Sequence, residues 1–404
     1  MSTTNNNSRP LSRWFSGDRV LWVIIAMMAI ISVLVVYSST AKMAYDANTI
    51  RSTSSFLKQQ FVILIAGVLF LFTTHKINYP IIRSLTIPAY WFSIGLTLLA
   101  YIIGSTTNGA ARWIPIGGFQ FQPSEALKVA TILMLARSLS LRQKVIERLR
   151  IVPSFNPMLW ALPGQKKIWM EGTFPVLMPV VLACVVIVPA HTSSALLLFF
   201  SSLVVMMIGR VRWSELAKIL ALIVIAAAIY GMVGMGRSQT ASNRVTTWIE
   251  IMTTDRTKIN INDLTDTERS MIAIHNGGVL GEGAGHSAMR VEMIHPESDY
   301  AFAFFVEEYG LILSLIVLML YLWLFFRAIE ICRECKTAFP ALMVLGLAVM
   351  ITCQALLHIM VTVNLTPETG QTLPLISRGG SSLLFTSIAL GLILSVSRQN
   401  LEQK

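Results

Sequence analysis

The chain has 404 residues, 54% of them hydrophobic and 13% charged, with a formal net charge of +11 and a mean hydropathy of +0.64. A soluble domain cannot present so much apolar surface to water, so the composition excludes a soluble globular protein and specifies an integral membrane protein. The basic excess does not call for a nucleic acid partner, because holding loops on one side of a membrane, against anionic lipid, accounts for it.

Residues 1 to 19 are rich in Ser, Thr and Asn and read as a disordered cytoplasmic tail. Arg9, Arg13 and Arg19 precede an apolar run that is too long for a signal peptide and lacks a small-residue cleavage pattern, so it is expected to stay as an anchor. Runs of about the 20 apolar residues that cross a bilayer recur near 20 to 38, 56 to 74, 86 to 104, 122 to 139, 174 to 190, 192 to 209, 214 to 236, 300 to 326, 339 to 362 and 381 to 397. They are continuous rather than alternating, which in lipid means helices and not a barrel. The expected fold is an all-α membrane domain of about ten transmembrane helices over 20 to 397, with both termini cytoplasmic and a short tail at 398 to 404. The cluster Arg137, Arg142, Lys144, Arg148, Arg150, Lys166 and Lys167 places the 140 to 172 loop inside, as a membrane-surface segment.

Between the third and fourth spans, Asn108-Gly109 and Gly117-Gly118 mark turns, and Pro123 marks a helix start that Gln122 or Ser124 can cap. Glu125 and Lys128, three apart, share a helix face and neutralise each other. That pair either only lets the span insert or faces a polar cavity and orients a phosphate-bearing ligand. Arg112, beside Trp113, is an interfacial anchor or a phosphate contact. In Pro189-Ala-His-Thr-Ser-Ser194, His191 reads as a hydrogen-bonded turn residue, since no second ligand stands at metal spacing.

The 237 to 299 segment is a large external loop between helices seven and eight, too short and polar for a domain, and is expected to lie across the bundle as short helices. Its Gly281-Glu-Gly-Ala-Gly285 lacks the spacing and preceding strand of a dinucleotide loop. Cys332-Arg-Glu-Cys335 has redox spacing without a βαβ context and reads as a structural thiol pair, and the four cysteines imply no external disulfide framework.

The most informative stretch is His295 to Gly310, with Asp299 at the mouth of an apolar run and Glu307 and Glu308 inside it. A charge in mid-membrane costs roughly 2.5 to 3.5 kcal/mol on insertion scales, so something must offset those glutamates. Asp299 reads either as the helix cap, with Ser298, or as a base. Glu307, eight positions on, falls on nearly the same face two turns deeper and reads as the partner of a buried cation. Arg378-Gly-Gly-Ser381-Ser382 opens the last span with an arginine and free amides, which cap the helix or bind an anion. One acid with Arg112, Lys128, Arg244 and Arg378 around the outer mouth of a bundle suits a ligand with an anionic head and an apolar tail, such as a polyprenyl-diphosphate sugar.

Arg112-Trp-Ile, Phe121-Gln-Pro-Ser-Glu-Ala-Leu-Lys128, Gly277-Gly-Val-Leu-Gly281, Glu297-Ser-Asp-Tyr-Ala-Phe302, Glu307-Glu-Tyr-Gly310 and Gly370-Gln-Thr-Leu-Pro-Leu-Ile-Ser-Arg-Gly-Gly-Ser381 together resemble the SEDS family (shape, elongation, division and sporulation) over nearly the whole chain. Leu373-Pro-Leu-Ile-Ser377 is more similar to its FtsW branch than to its RodA branch. The sequence departs from the family in having Arg378 where an aromatic residue is usual, Ala111 in place of a second arginine, and no Gln-Pro-Asp-x-Gly turn around His191.

The resemblance implies a peptidoglycan glycosyltransferase that polymerises lipid II, an undecaprenyl-diphosphate-linked disaccharide peptide, at the outer face of the bacterial cytoplasmic (inner) membrane. It implies septal wall synthesis, an inverting mechanism with Asp299 as general base, and a functional Glu125 and Lys128 pair. Arg112, Glu125, Lys128, Arg244, Glu307, Arg378 and Ser381 form the candidate substrate-binding set. One carboxylate suffices, because diphosphate leaves without a dedicated acid. A class B penicillin-binding protein and other division proteins are the implied partners, and a Mg2+ or Mn2+ ion at the diphosphate is the one candidate cofactor. The competing readings are a RodA-type elongation polymerase, a lipid II flippase, which predicts charges spread through the membrane depth, and a noncatalytic division scaffold, which predicts that Asp299→Asn is tolerated.

Overall fold

Each of the ten apolar runs lies on a helix in the computed structural model, which describes residues 15–45, 53–107, 110–116, 119–144, 146, 169–233, 237–253, 264–293 and 298–403. In chain order these are α1 (Arg19–Tyr45), α2 (Thr53–Lys76), α3 (Tyr79–Ile103), α4 (Pro123–Leu141), α5 (Phe174–Ile187), α6 (Thr192–Ile208) and α7 (Trp213–Val233). The connecting segment forms α8 (Arg237–Thr253), α9 (Asp266–Gly277) and α10 (Met289–Glu292), and so is helical in pieces, as expected. The last three spans are α11 (Ala301–Arg333), α12 (Ala338–Thr362) and α13 (Gly380–Glu402).

Among the described residues, seven helices are long and apolar enough to cross a membrane, and α6 is apolar but shorter, at 17 residues. Burial separates the spans into two kinds. On α12 and α13, 72% and 78% of the apolar window is covered by protein, against 22% on α2. The more polar α4 packs against α3, α5, α6, α12 and α13, so its Glu125 and Lys128 meet side chains rather than lipid.

The all-α expectation needs one correction. Between α3 and α4 the chain forms an antiparallel sheet in the order β1 (Ser105–Thr107), β2 (Ala110–Ile116) and β3 (Phe119–Phe121). Thr107 pairs with Ala110 and Ile116 with Phe119, so each strand pair closes over a two-residue link. Asn-Gly and Gly-Gly between short β-prone runs are hairpin signals, and they were legible in the sequence only as turns.

Both ends of the described chain lie at the same end of the bundle. Gly17 packs against Leu394 and Arg398, and His75 bonds the Ser16 carbonyl at 2.8 Å. Asp18 accepts from Leu21 N at 2.8 Å and from Arg327 Nε at 2.7 Å. The expected tail at 398 to 404 is instead helical as far as Glu402, and of the expected disordered tail at 1 to 19 the described part, from 15, is packed against the bundle, while 1 to 14 and the basic residues Arg148, Arg150, Lys166 and Lys167 lie outside the described residues. All four cysteines are free thiols.

Helix α11 is interrupted at Gly310, where φ is 80° and ψ is 173°. A break in a helix strands carbonyls before it and amides after it, and the 278–283 loop takes up both. Glu282 N donates to Glu307 O at 2.9 Å and Gly283 N to Glu308 O at 3.0 Å, while Leu311 N donates to Gly278 O at 3.0 Å. A Cβ on Gly310 would overlap the Val279 carbonyl and Gly281 N. The Gly310 conformation is essentially confined to glycine and costs other residues about 1 to 3 kcal/mol before any overlap is counted. Gly310→Ala is therefore expected to lower the thermal unfolding temperature of the purified protein by several degrees, and unchanged melting would show that the stitch is not stabilising.

Candidate active site

Asp299 stands one residue before the α11 cap, which is Tyr300, and no side chain caps the helix. The reading of Asp299 as a cap is thereby set aside, and its carboxylate, half-buried, accepts a hydrogen bond from Ser298 Oγ at 2.8 Å. The backbone around it is held from two sides. Tyr300 shares a hydrogen bond with Thr267 Oγ1 of α9 at 3.0 Å, and Phe302 N donates to His358 Nε2 of α12 at 3.4 Å. Since His358 Nε2 accepts from an amide, the ring proton lies on Nδ1, which donates to the Gln371 carbonyl at 2.8 Å.

Gln371 also reaches the turn between α5 and α6. Its Nε2 donates to Ser194 Oγ at 2.9 Å and to His191 Nδ1 at 3.2 Å. Gly370, at φ +61°, lies between the two sides: its Cβ position is 3.8 Å from Asp299 Oδ2 and 3.9 Å from His191 Nε2. The residue read as a plain turn histidine thus borders the same spot as Asp299.

Beside them, Arg244 of α8 donates to the Glu368 carbonyl at 3.3 Å. Burial pushes the Glu368 carboxyl up from its ordinary value; nearby Asp299 and Asp266 add to the rise and Arg244 opposes it. A carboxyl with a raised folded-state pKa holds its proton longer in the folded protein, so stability falls as pH rises above the ordinary carboxylate range. Glu368→Gln is expected to raise the melting temperature at pH 8 and to lose that advantage near pH 4. An equal shift at both pH values would refute the electrostatic cause.

Two cavities meet at this place. A polar one of about 240 Å³ is lined by Arg244, Asp266, Asn364 and Glu368. A larger one, about 670 Å³, has Leu196, Leu197 and Phe200 of α6 and Leu356, Leu357 and Met360 of α12 along its wall, with His191, Arg244 and Glu368 also lining it. An apolar chamber edged by a cation and hydrogen-bond donors fits an amphiphile, tail inward and anionic head at the edge.

The remaining predicted residues are distributed unevenly. Lys128 and Glu125 pair at 2.8 Å, and Lys128 is 1% exposed. Lys128 Nζ also donates to Gln354 Oε1 at 3.0 Å, and Gln354 Nε2 to the Thr372 carbonyl at 2.9 Å, so the pair supports the loop carrying Gln371 from behind. Ser381 Oγ accepts from Gln122 N at 2.8 Å and donates to the Gln120 carbonyl at 3.2 Å, fastening β3 and α4 to α13. The Arg378 guanidinium reaches Gln59 of α2 at 3.5 Å. Arg112 lies on β2, and its side chain falls outside the described residues.

Glu307 differs from its expected role. It sits fully buried before the Gly310 break, and its carboxylate accepts from Asn276 Nδ2 at 3.3 Å, from Ala288 N and Met289 N at 3.2 Å, and from the Ser287 hydroxyl. Loop amides and hydroxyls take the place of the expected cation. Glu308 is held likewise by Ser38 Oγ at 2.6 Å and Gly285 N at 2.9 Å. Among the described residues, no three His, Cys, Asp or Glu side chains converge as a metal site.

Helices able to span a bilayer, with loops folded over a half-buried aspartate at one end, define a multi-pass membrane protein whose polar site opens beside an apolar chamber. The chain belongs to the FtsW/RodA/SpoVE family, described as "Cell cycle protein", which it matches over residues 18–402. It is 26% identical over 383 residues to the probable peptidoglycan glycosyltransferase FtsW of Geobacter sp. (strain M18), covering 93% of this chain and 96% of that protein. It is 28% identical over 389 residues to stage V sporulation protein E of Bacillus subtilis (strain 168), covering 95% and 97%. Its fold matches a chain from "Structural coordination of polymerization and crosslinking by a peptidoglycan synthase complex", with a TM-score of 0.69 and 22% identity over 96% of this chain and 99% of that one. The rod shape determining protein RodA of Thermus thermophilus gives a TM-score of 0.60 at 24% identity, again over 96% and 99%.

Proposed function

We propose that this protein is a peptidoglycan glycosyltransferase that polymerises lipid II at the outer face of the cytoplasmic membrane, in septal wall synthesis. The observation that carries this reading is the half-buried Asp299 carboxylate, which does not cap its helix and lies across Gly370 from His191, a residue of the wall of a chamber with an apolar lining and a cationic edge. In the proposed reaction, the 4-hydroxyl of the acceptor sugar attacks the anomeric carbon of the donor from the face opposite the diphosphate. The new glycosidic bond forms with inversion, the hydroxyl proton passes to Asp299, and the diphosphate departs with the bonding electron pair.

Arg244 is the cation best placed for the diphosphate, since it borders both cavities. Lys128 and Glu125 act from behind, through Gln354 and the loop. A Mg2+ or Mn2+ ion at the diphosphate is part of the proposed reading, and no step is assigned to it.

Ten crossings with both termini cytoplasmic accompany this function. The end where residues 15–22 meet 394–402 also carries Arg19, Arg327, Arg333 and Arg398, as the excess of inner positive charge requires. Septal placement follows the similarity to relatives named FtsW, and a class B penicillin-binding protein is the proposed crosslinking partner. Purified full-length protein, with and without that partner, is expected to convert lipid II into glycan polymer resolved on a gel. The absence of polymer in both cases would overturn the reading.

A further inference from the structure

The chemistry at Asp299 leaves the polar cavity of about 240 Å³ without a role. Residues of α8 and of the start of α9 line it, together with Asn364 and Glu368 from beyond α12. Thr240, Arg244 and Glu368 also line the apolar chamber, so these three stand where the two spaces meet. A ligand with its tail in the chamber and its diphosphate at Arg244 has this cavity next to its head.

The lining is rich in acceptors. Asp266 and Glu368 bring carboxylates, and among the described residues Arg244 is the one basic side chain in the wall. Burial and the nearby charges of Asp299 and Asp266 already push the Glu368 carboxyl up, with Arg244 opposing them. Asn364 is 5% exposed, and its Oδ1 is buried without a donor. Its backbone carbonyl accepts from Trp248 Nε1 at 3.1 Å, so the indole N–H is committed and Trp248 has its ring left to offer. A buried acceptor without a donor is unfavourable. Carboxylates, an amide oxygen and an aromatic ring are together satisfied by a cation that carries N–H donors.

We propose that this cavity is a subsite for the peptide part of the substrate, and that it receives an ammonium group of that peptide at Glu368, Asp266 and Asn364. This rests on the polymerase reading above, in which the substrate is a disaccharide peptide on a diphosphate. Once the diphosphate engages Arg244, Glu368 loses the cation that opposed its acidic neighbours. The ammonium restores that counter-charge, so the anionic and cationic parts of one substrate favour each other's binding. A neutral sugar ring offers hydroxyls to the same wall but no charge.

Two probes test this: lipid II whose peptide carries a single lysine, and the same molecule with that lysine Nε-acetylated, which loses the charge. Equilibrium binding of each is measured to full-length Asp299→Asn protein, with and without Glu368→Gln. Polymerisation kinetics are measured for wild type and Glu368→Gln with the transpeptidase partner. Glu368→Gln relieves a crowded carboxyl and is expected to melt above wild type at pH 8, so a change in its binding does not report misfolding. Acetylation also adds bulk, but a steric penalty persists in Glu368→Gln, whereas a charge effect disappears there.

The lysine probe is expected to bind about 10- to 100-fold more tightly than the acetylated one, the scale of a hydrogen bond to a charged group. KM is expected to differ in the same sense, with kcat nearly unchanged. With Glu368→Gln the preference is expected to fall to about threefold or less. Equal binding of the two probes, or a preference that Glu368→Gln leaves intact, would overturn the proposal. If wild type polymerises both probes with the same KM, this inference alone fails. If the preference in binding holds and is lost in Glu368→Gln, but wild type makes no polymer from either probe, the subsite stands and the enzymatic reading fails.

Discussion

Asp299→Asn protein, purified with its partner and given lipid II, is expected to lose about 10²- to 10⁴-fold in polymerisation rate, the usual worth of a positioned general base. The substitution is nearly isosteric, and the amide oxygen can still accept the bond from Ser298 Oγ. The helix loses no cap, since the cap position is Tyr300 and makes no side-chain bond. Stability is accordingly expected to change by less than about 0.5 kcal/mol, so that the rate loss reports chemistry rather than folding. Removing the Asp299 charge also relieves Glu368 of one of its repulsions, and the Glu368 carboxyl is expected to titrate lower in the variant. A variant that polymerises at half the wild-type rate or better would dismiss Asp299 as the base, and equal division in cells carrying it would favour a scaffold.

The second large effect concerns folding. Lys128→Met is expected to destabilise the protein by about 3 to 5 kcal/mol, because it leaves the Glu125 carboxylate, 8% exposed, without its cation inside the bundle. Glu125→Gln strands the 1%-exposed ammonium and is expected to cost a similar amount, about 3 to 5 kcal/mol, reduced by the Gln354 contact that remains. The double variant carries no buried charge and is expected to recover most of the loss, which thermal unfolding of all four proteins would measure as a coupling energy. Additive losses would mean that the two side chains are independently solvated. The double variant is expected to keep detectable polymerisation, unlike Asp299→Asn, because the pair touches the loop behind the site rather than the reacting atoms.

The spans were legible because a bilayer demands long apolar runs, and each run lies on a helix. The three-stranded sheet was missed since Ser105–Thr107 and Phe119–Phe121 are too short to show alternation, leaving only their turns visible. Asp299 was readable as an acid at the mouth of an apolar run. His191 was not, because the residue that orients it, Gln371, is 180 positions away and a single histidine carries no spacing. Glu307 pointed correctly to an offset for buried charge, but its partners are mostly backbone amides and a serine, and no residue type encodes an amide's direction. The direction of Arg378 toward α2 is likewise set by how α13 meets α2, which local sequence does not express.

The interruption at Gly310 makes α11 two helical pieces under one name. The short piece at 301–309, which follows Asp299 directly, is laced to the 278–289 loop through Glu282, Gly283 and the Glu307 carboxylate. The long piece beyond the break is the membrane rod. The same loop also holds Leu311 N, beyond the break, through the Gly278 carbonyl, and Phe302 N is tied to His358 of α12, so the aspartate takes its place from a loop and a neighbouring span rather than from the continuity of the helix it precedes.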